Sequence, residues 1–373
     1  MEIAGRWSKE RVWEWYNKQP WLRGCNFMGS DCVNRIDQWQ KMGFEERLVT
    51  ADRELKLAAD TGFNTIRIIL EYIVWREDHD GFMERLDRYL DTAYQYGIRS
   101  MIVFGNDCMV IKDNPYSYYN LKLGVQHYDW GYHGGRKWSQ HSDRDKENEP
   151  GYSLLDEPDD VLRIYEWVRE IMEKYKNDDR VLIWDLYNEP GNARRTELTM
   201  PHLKKFFEIA REVNPMQPIT SAAWRLNGNT PNPKIHEIEQ FCLDNSDVIT
   251  YHSYSPYVHN VKTLQYLKTT YNRPIMCTEW LGRTLHNTVQ EIFPLFFLER
   301  VGCYCWGLVA GLYQTYEPWE ALWERYKNGT ANDVDFTVWF HDLYRPSLRP
   351  YDPHETDLIK NLCDLADQYH NTK

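Results

Sequence analysis

The sequence predicts an α/β protein built as a single (β/α)8 TIM barrel with long loops after strands 3 and 8. Three observations predict it. Strand-like and helix-like segments alternate along the whole chain, eight strands in all. The 373 residues suffice for one barrel with insertions. Two glutamates, Glu189 and Glu279, each close a short apolar run bounded by turn residues, and in a parallel barrel that strand end is the active-site face.

Each element follows from its local pattern. Residues 1–20 form a capping segment, with a short helix expected over the Trp-rich stretch 6–20; the rest of 1–373 belongs to the same catalytic domain. Residues 21–27 are the first strand. Residues 46–61 place Leu48, Leu55, Leu57 and Ala58 at helical spacing and stop at Gly62, a helix-ending residue. Residues 64–70 are the second strand; 82–96 are a helix with Phe82, Leu86, Leu90 and Ala93 on one face, ending at Gly97; 98–104 are the third strand. A long insertion over 105–158 follows, then a helix over 160–175 and the fourth strand over 181–187. The second half repeats the alternation: helix 200–213, strand 218–224, helix 234–243, strand 247–254, helix 261–271, strand 274–278, helix 289–300, strand 302–308. A second insertion spans 310–353, and a helix over 357–369 closes the chain. The competing doubly wound sheet wants a Gly-rich phosphate turn after strand one, and the segment Gly24 to Asp31 matches that poorly.

Composition excludes several classes. Hydrophobic residues make up 42% of the chain, enough for a large core. The net charge of −12 disfavours nucleic acid and anionic membrane surfaces as partners. No segment approaches the apolar length of a membrane span. The N-terminus has no apolar leader core, so the chain is expected to be cytoplasmic as given, and secreted or periplasmic if a leader has been trimmed. The eight cysteines show no disulfide-framework spacing and no C-x-x-C pair, which predicts buried free thiols in a reducing compartment. The 16 Trp and 26 Tyr exceed what a core needs, so some are expected to serve as platforms for sugar rings.

The chemistry suggested by two converging glutamates is cleavage of a glycosidic bond. The leaving oxygen needs a proton, and the anomeric carbon needs a carboxylate as positive charge develops. In the retaining version the carboxyl groups lie about 5 Å apart and the second one attacks. Around them the residues resemble the glycoside hydrolases of clan A, family 5 in particular, from about Trp21 to Trp319. The strongest element is Asn188-Glu189-Pro190 at the end of strand four. The resemblance implies that Glu189 is the acid/base, Asn188 a partner of the sugar 2-hydroxyl, and Glu279 the nucleophile. It implies that Arg67 holds the nucleophile ionised, that His252 and Tyr254 line the catalytic centre, and that Trp306 lies under the sugar at subsite −1. The chain departs from the family after strand three, where many members carry a His and this one reads Asn106-Asp107.

Further candidates come from strand ends and loops. Asn26, Asn106 and Asp107 close strands one and three and are placed to reach the −1 sugar. Trp224 closes strand five as a sugar platform; Trp280 and Arg283 follow the nucleophile and are expected to shape the pocket; Gln314, Glu317 and Trp319 follow strand eight, where a loop closes over the site. His127, His133 and His141, with Asp129 and Asp143, have imidazole and carboxylate chemistry but no metal-ligand spacing, so no metal and no organic cofactor is expected.

The leading function is therefore a retaining O-glycoside hydrolase acting on a carbohydrate substrate. Two insertions over one face favour a closed pocket, hence exo-action or short oligosaccharides and glycosides, furanosides included. An endo-β-glycanase (glucanase, mannanase or xylanase) is the alternative mode, and a non-catalytic carbohydrate-binding barrel the alternative class. A metal-dependent barrel isomerase or lyase would need a converging carboxylate and histidine set, of which only His252 is visible in the sequence.

Overall fold

A computed structural model describes residues 4–114, 117, 120–126, 149–226 and 235–371. Eight strands, β1 (Arg23–Asn26), β2 (Thr65–Ile69), β3 (Arg99–Asn106), β4 (Val181–Asn188), β5 (Ile219–Thr220), β6 (Ile249–His252), β7 (Ile275–Trp280) and β8 (Gly302–Trp306), form one sheet in the order β5-β4-β3-β2-β1-β8-β7-β6. Every ladder in it is parallel. The β5–β6 seam is held by the bridge Ala223–Tyr251 and a 2.7 Å contact between the hydroxyls of Thr220 and Thr250. This is the expected (β/α)8 barrel, nearly closed.

The helices are α1 (Lys9–Asn17), α2 (Arg35–Trp39), α3 (Phe44–Asp60), α4 (Tyr72–Glu77), α5 (His79–Tyr94), α6 (Pro158–Tyr175), α7 (Thr196–Val213), α8 (Glu237–Asn245), α9 (Tyr257–Tyr271), α10 (Val289–Leu298), α11 (Glu320–Lys327) and α12 (Pro353–Asn371). None of them is long and apolar enough to cross a membrane. On α5 the face carrying Phe82, Leu86, Leu90 and Ala93 is buried as the spacing predicts, and the chain leaves that helix through Gly97 at φ 73°. α3 likewise stops before Gly62 at φ 95°. α6 starts with Pro158, which needs no donor there, and carries Asp159 and Asp160 in its first turn against the helix dipole.

The hydrophobic core has two parts. The larger lies between the strands and the surrounding helices. The smaller plugs the N-terminal mouth of the barrel, where Trp7, Val12 and Tyr16 of the capping segment meet Leu22, Met101, Leu182, Val248, Met276 and Tyr304. That end is thereby sealed, and the opposite face is left for the site.

Three features differ from the sequence expectation. The fifth strand is regular over two residues rather than 218–224, because Ser221 turns its backbone N–H to the Ser246 hydroxyl (3.1 Å) and its own hydroxyl to the Tyr187 carbonyl (2.9 Å). α2 and α4 were not expected. α2 is fully buried yet carries Arg35, Asp37 and Gln38, so it shows no amphipathic stripe; Asn34 caps it by accepting from Asp37 N (3.1 Å). The second insertion, by contrast, has structure of its own. It contains α11 and is held by ring contacts Trp319–Phe340 (4.7 Å), Trp323–Phe336 (4.6 Å) and Trp339–Tyr351 (4.6 Å). Arg283 pins it to the barrel by donating to the carbonyls of His341 (2.6 Å) and Asp342 (2.8 Å) while paired with Glu355 (2.6 Å).

All eight cysteines are free thiols, seven of them buried and Cys108 half-buried.

Candidate active site

The catalytic face is assembled by strand ends. Glu189 follows β4 directly, and Glu279 is the fifth of six residues in β7. In the sheet order these strands lie on opposite sides of the barrel mouth, so their carboxylates face each other across it. His252, at the end of β6, bridges them: its Nδ1 is 2.9 Å from Glu189 Oε1 and 3.4 Å from Glu279 Oε2. The three ligating atoms lie within 4.8 Å of one another. A carboxylate separation of that order is the spacing of a retaining pair, too short to admit the water of an inverting one.

Arg67, from β2, organises the floor. It is fully buried and donates to four acceptors: Asp185 Oδ2 (2.9 Å from Nε), Asn26 Oδ1 (2.8 Å), Asn188 Oδ1 (2.7 Å) and Glu279 Oε1 (3.1 Å). Tyr254 donates its phenol to the other oxygen of Glu279 at 2.8 Å. Burial and then the charge of Glu279 push the Tyr254 phenol well up, so it remains a donor.

Glu189 adopts φ 46°, a left-handed backbone rare for a side chain of its size, held by the loop that follows. That loop is tied by Asp107, whose carboxylate accepts from Gly191 N (2.7 Å), Thr199 Oγ1 (2.6 Å), Tyr187 OH (2.8 Å) and Arg195 Nε (3.1 Å). Glu189 itself accepts from three donors: His252, Asn192 Nδ2 (2.6 Å) and the thiol of Cys108 (3.0 Å).

These contacts divide the charge. At Glu189 burial acts upward, but His252, Cys108 and Asn192 outweigh it and bring the carboxyl below its usual range. At Glu279 burial, joined by the charge of Glu189, outweighs His252, Arg67 and Tyr254 and leaves the carboxyl above its usual range. In the sugar-free site the proton of the pair thus favours Glu279, the reverse of the order that acid/base and nucleophile require. The two titrate as a unit. The permanent cation at Arg67 stays on Glu279, and it is this fixed contact that favours Glu279 as the attacking anion.

The other sequence candidates divide into those facing the site and those supporting it. Trp306 ends β8 beside Arg67, lining the same small cavity. Trp319 packs edge-on to Tyr254 at 5.0 Å, which brings the segment after β8 to the catalytic centre. Trp224 is half-buried, donates its indole N–H to the Pro190 carbonyl (3.1 Å), and lines a cleft that starts at Gly191 and Asn192. Asn26 supports rather than reaches out, its amide donating to the Thr278 carbonyl (2.8 Å) while its oxygen serves Arg67. Asn106 accepts from Asn188 Nδ2 at 2.8 Å and so orients that side chain. Asp107 is a correction: it is fully buried and its four donors come from the Glu189 loop and neighbouring elements, so it fixes Glu189 instead of touching a sugar. Trp280 is a second correction, stacked on Phe293 of α10 (5.8 Å) on the outside of the barrel. Arg283 likewise works as the clamp described above. Gln314 is half-buried in a turn at φ 64°, its N–H on the Gly311 carbonyl (3.0 Å), and Glu317 continues that turn. The cluster His127, His133, His141, Asp129 and Asp143 lies outside the described residues.

Four neighbours were not singled out from the sequence: Asp185, Asn192, Cys108 and Asp342. Asp185 carried a signal, a charge inside an otherwise apolar strand. The converging carboxylate and histidine set thought missing from the sequence is also present, since Glu189, His252 and Glu279 form the one group among the described residues with metal-ligand geometry. The Arg67 cation 3.1 Å from Glu279 opposes a second cation there.

The family model described as Cellulase (glycosyl hydrolase family 5) matches residues 24–299. No curated protein matches the sequence. Among solved structures, the chain is similar to the exo-β-1,4-mannosidase Op5Man5 from Opitutaceae bacterium strain TAV5, at 16% identity and a TM-score of 0.55, over 94% of this chain; it spans 60% of that protein's length. It is also similar to GH5_18 from Streptomyces cattleya in complex with GlcNAc (14% identity, 94% and 80% of the two chains, TM-score 0.53). A third is the endo-β-1,4-mannanase from Thermotoga petrophila (14% identity, 92% and 77%, TM-score 0.52). At these identities the likeness is one of fold.

Proposed function

We propose that this chain, which belongs to glycosyl hydrolase family 5 and is a retaining glycoside hydrolase, acts in the exo mode and releases the terminal sugar from short oligosaccharides or glycosides. The observation that carries the exo mode is the unequal space on the two sides of the carboxylates. Beyond Glu189, where a leaving group must sit to receive its proton, lies a cleft of about 980 Å³ lined by Asn192 and Trp224. Across the barrel, over β1, β2 and β8, the cavity beside Arg67 and Trp306 measures about 40 Å³. That holds roughly three waters, far less than a further sugar. A substrate of this geometry ends at −1 and extends toward Trp224. The mannoside names of two of the similar proteins make β-mannosides the first substrates to try.

In the first step a Glu279 oxygen bonds the anomeric carbon as its bond to the leaving oxygen breaks, and Glu189 gives that oxygen its proton. Arg67 and Tyr254 hold Glu279 as the attacking anion. In the second step Glu189, now a carboxylate, takes a proton from water; the water oxygen bonds the anomeric carbon and Glu279 is freed with retention of configuration.

The test is hydrolysis of a panel of nitrophenyl pyranosides and furanosides by wild type, Glu279→Ala and Glu189→Ala, with a reducing-end-labelled oligosaccharide alongside. Expected are loss of nearly all turnover in Glu279→Ala and partial rescue of Glu189→Ala by azide on good leaving groups. The oligosaccharide should shorten by one sugar at a time. Full activity in either variant would remove the residue assignment, and internal cuts as the first products would replace exo with endo.

A further inference from the structure

The small cavity on the non-reducing side holds a carboxyl group that the mechanism does not use. Asp342 is fully buried and lines that cavity together with Arg67, Trp306, Gly307 and Thr315. Its Oδ2 accepts from Thr315 Oγ1 at 2.6 Å, and its Oδ1 has no hydrogen-bond partner. A buried acceptor left unsatisfied is costly, on the order of 1–3 kcal/mol, and is uncommon without a ligand or water to meet it.

Its placement is enforced from three directions. The backbone of Asp342 sits at φ 55°, a left-handed conformation uncommon for its type. Arg283 fixes it there by binding the Asp342 and His341 carbonyls and Glu355 together. Gly307, directly after Trp306, makes room: a Cβ at that position would stand 2.2 Å from Asp342 Oδ1. Burial pushes the carboxyl up to about 7, so near neutral pH it offers either an acceptor or a donor. Strain, a required glycine and an unmet polar atom thus coincide beside the tryptophan expected to carry the −1 sugar.

We propose that Asp342 is a substrate-binding residue that hydrogen-bonds one hydroxyl on the non-reducing edge of the terminal sugar, the 3-, 4- or 6-hydroxyl, and so selects which sugar is released. The cavity has room for one such arm and not for a linked residue. This inference rests on the exo reading, because a chain continuing past −1 would carry its linkage where the hydroxyl is read.

The experiment is a cycle of variants against deoxy substrates. Wild type, Asp342→Asn, Asp342→Ala and Thr315→Val are assayed on the best nitrophenyl glycoside of the panel and on its 3-, 4- and 6-deoxy analogues, with melting temperatures as a check on folding. The same sugars, unlinked, are measured as inhibitors. Expected on the parent glycoside is a loss in kcat/KM of about tenfold or more for Asp342→Ala, and a smaller loss for Thr315→Val, which releases Oδ2. Wild type should lose a similar factor on one deoxy analogue, and Asp342→Ala should lose nothing further on that analogue. Equal losses on the parent and all three analogues, in catalysis and in inhibition, would overturn the proposal and leave Asp342 a water-satisfied scaffold residue. Products from the labelled oligosaccharide separate the two ideas. Single-sugar release without coupling removes the Asp342 contact alone; internal cleavage removes the exo reading and the terminal-edge assignment with it.

Discussion

Cys108 offers the sharpest test of how the acid/base is tuned. Its thiol lies 3.0 Å from Glu189 Oε2, the oxygen that also accepts from Asn192, and 3.5 Å from Asn188 Nδ2. Burial, then the charges of Glu189 and Glu279, push the Cys108 thiol well up, so the sulfur keeps its proton and acts as a donor. Cys108→Ala removes one of three donors to Glu189 and raises the pKa of that carboxyl. A hydrogen bond to a charged group contributes about 1.5–3 kcal/mol; a thiol is a weak donor, so about 1 kcal/mol is reasonable here. At 1.36 kcal/mol per unit this is a rise of about 0.7 unit. The assay is kcat/KM on a nitrophenyl glycoside from pH 4 to 9. In the free enzyme the proton of the pair favours Glu279, so loss of the proton from Glu189 sets the acid limb, and that limb should move up by about 0.5–1 unit while the plateau KM stays near the wild-type value. Cys108→Ser keeps a hydroxyl donor and should hold the limb near its wild-type position. A merely structural cysteine would change stability or the plateau and leave the limb in place. An acid limb unmoved in Cys108→Ala, or moved down, would refute the reasoning.

Two other outcomes follow from buried charge. Arg67→Lys retains one charge but not the fork that reaches four acceptors, leaving fully buried Asp185 poorly compensated; urea unfolding should show a loss of about 3 kcal/mol, with the basic limb of kcat/KM, which Glu279 sets, shifted up, and a loss under about 0.5 kcal/mol would contradict the burial argument. Glu54, on α3, is fully buried against Ser30, and burial raises its carboxyl to about 7. The folded pKa therefore exceeds the unfolded value of about 4.3, the native state binds more protons between them, and stability is greatest below that window and lost as pH rises through about 7. The melting temperature should fall from pH 5 to pH 8, with a shallower slope in Glu54→Gln; a parallel slope would exclude Glu54 as a source.

What the sequence reveals here depends on whether a residue's role is set by its own element or by a distant one. The barrel was legible because strand and helix periods are local, as are the glycines that end α3 and α5. Glu189 and Glu279 were legible for a related reason: each needs only a strand end, and the barrel converts strand ends into neighbours. Asp107 was misread because a strand-end position says where a side chain starts and not which way it turns. Its four donors come from Gly191, Thr199, Tyr187 and Arg195, which lie more than 75 positions away and turn the carboxylate inward. Cys108 and Asp342 left no trace for the same reason. Nothing near Cys108 in the chain marks it as a donor to Glu189, and Asp342 reaches the −1 side through the Arg283 clamp and the room at Gly307. Residues that perform the chemistry can sit at positions any barrel supplies, but residues that tune it depend on loops outside the repeating strand-and-helix plan. Substitutions at Cys108 and Asp342 should therefore alter pH dependence and sugar preference while the retaining reaction itself persists, and abolition of turnover by either would mean that tuning and chemistry are not separable in this site.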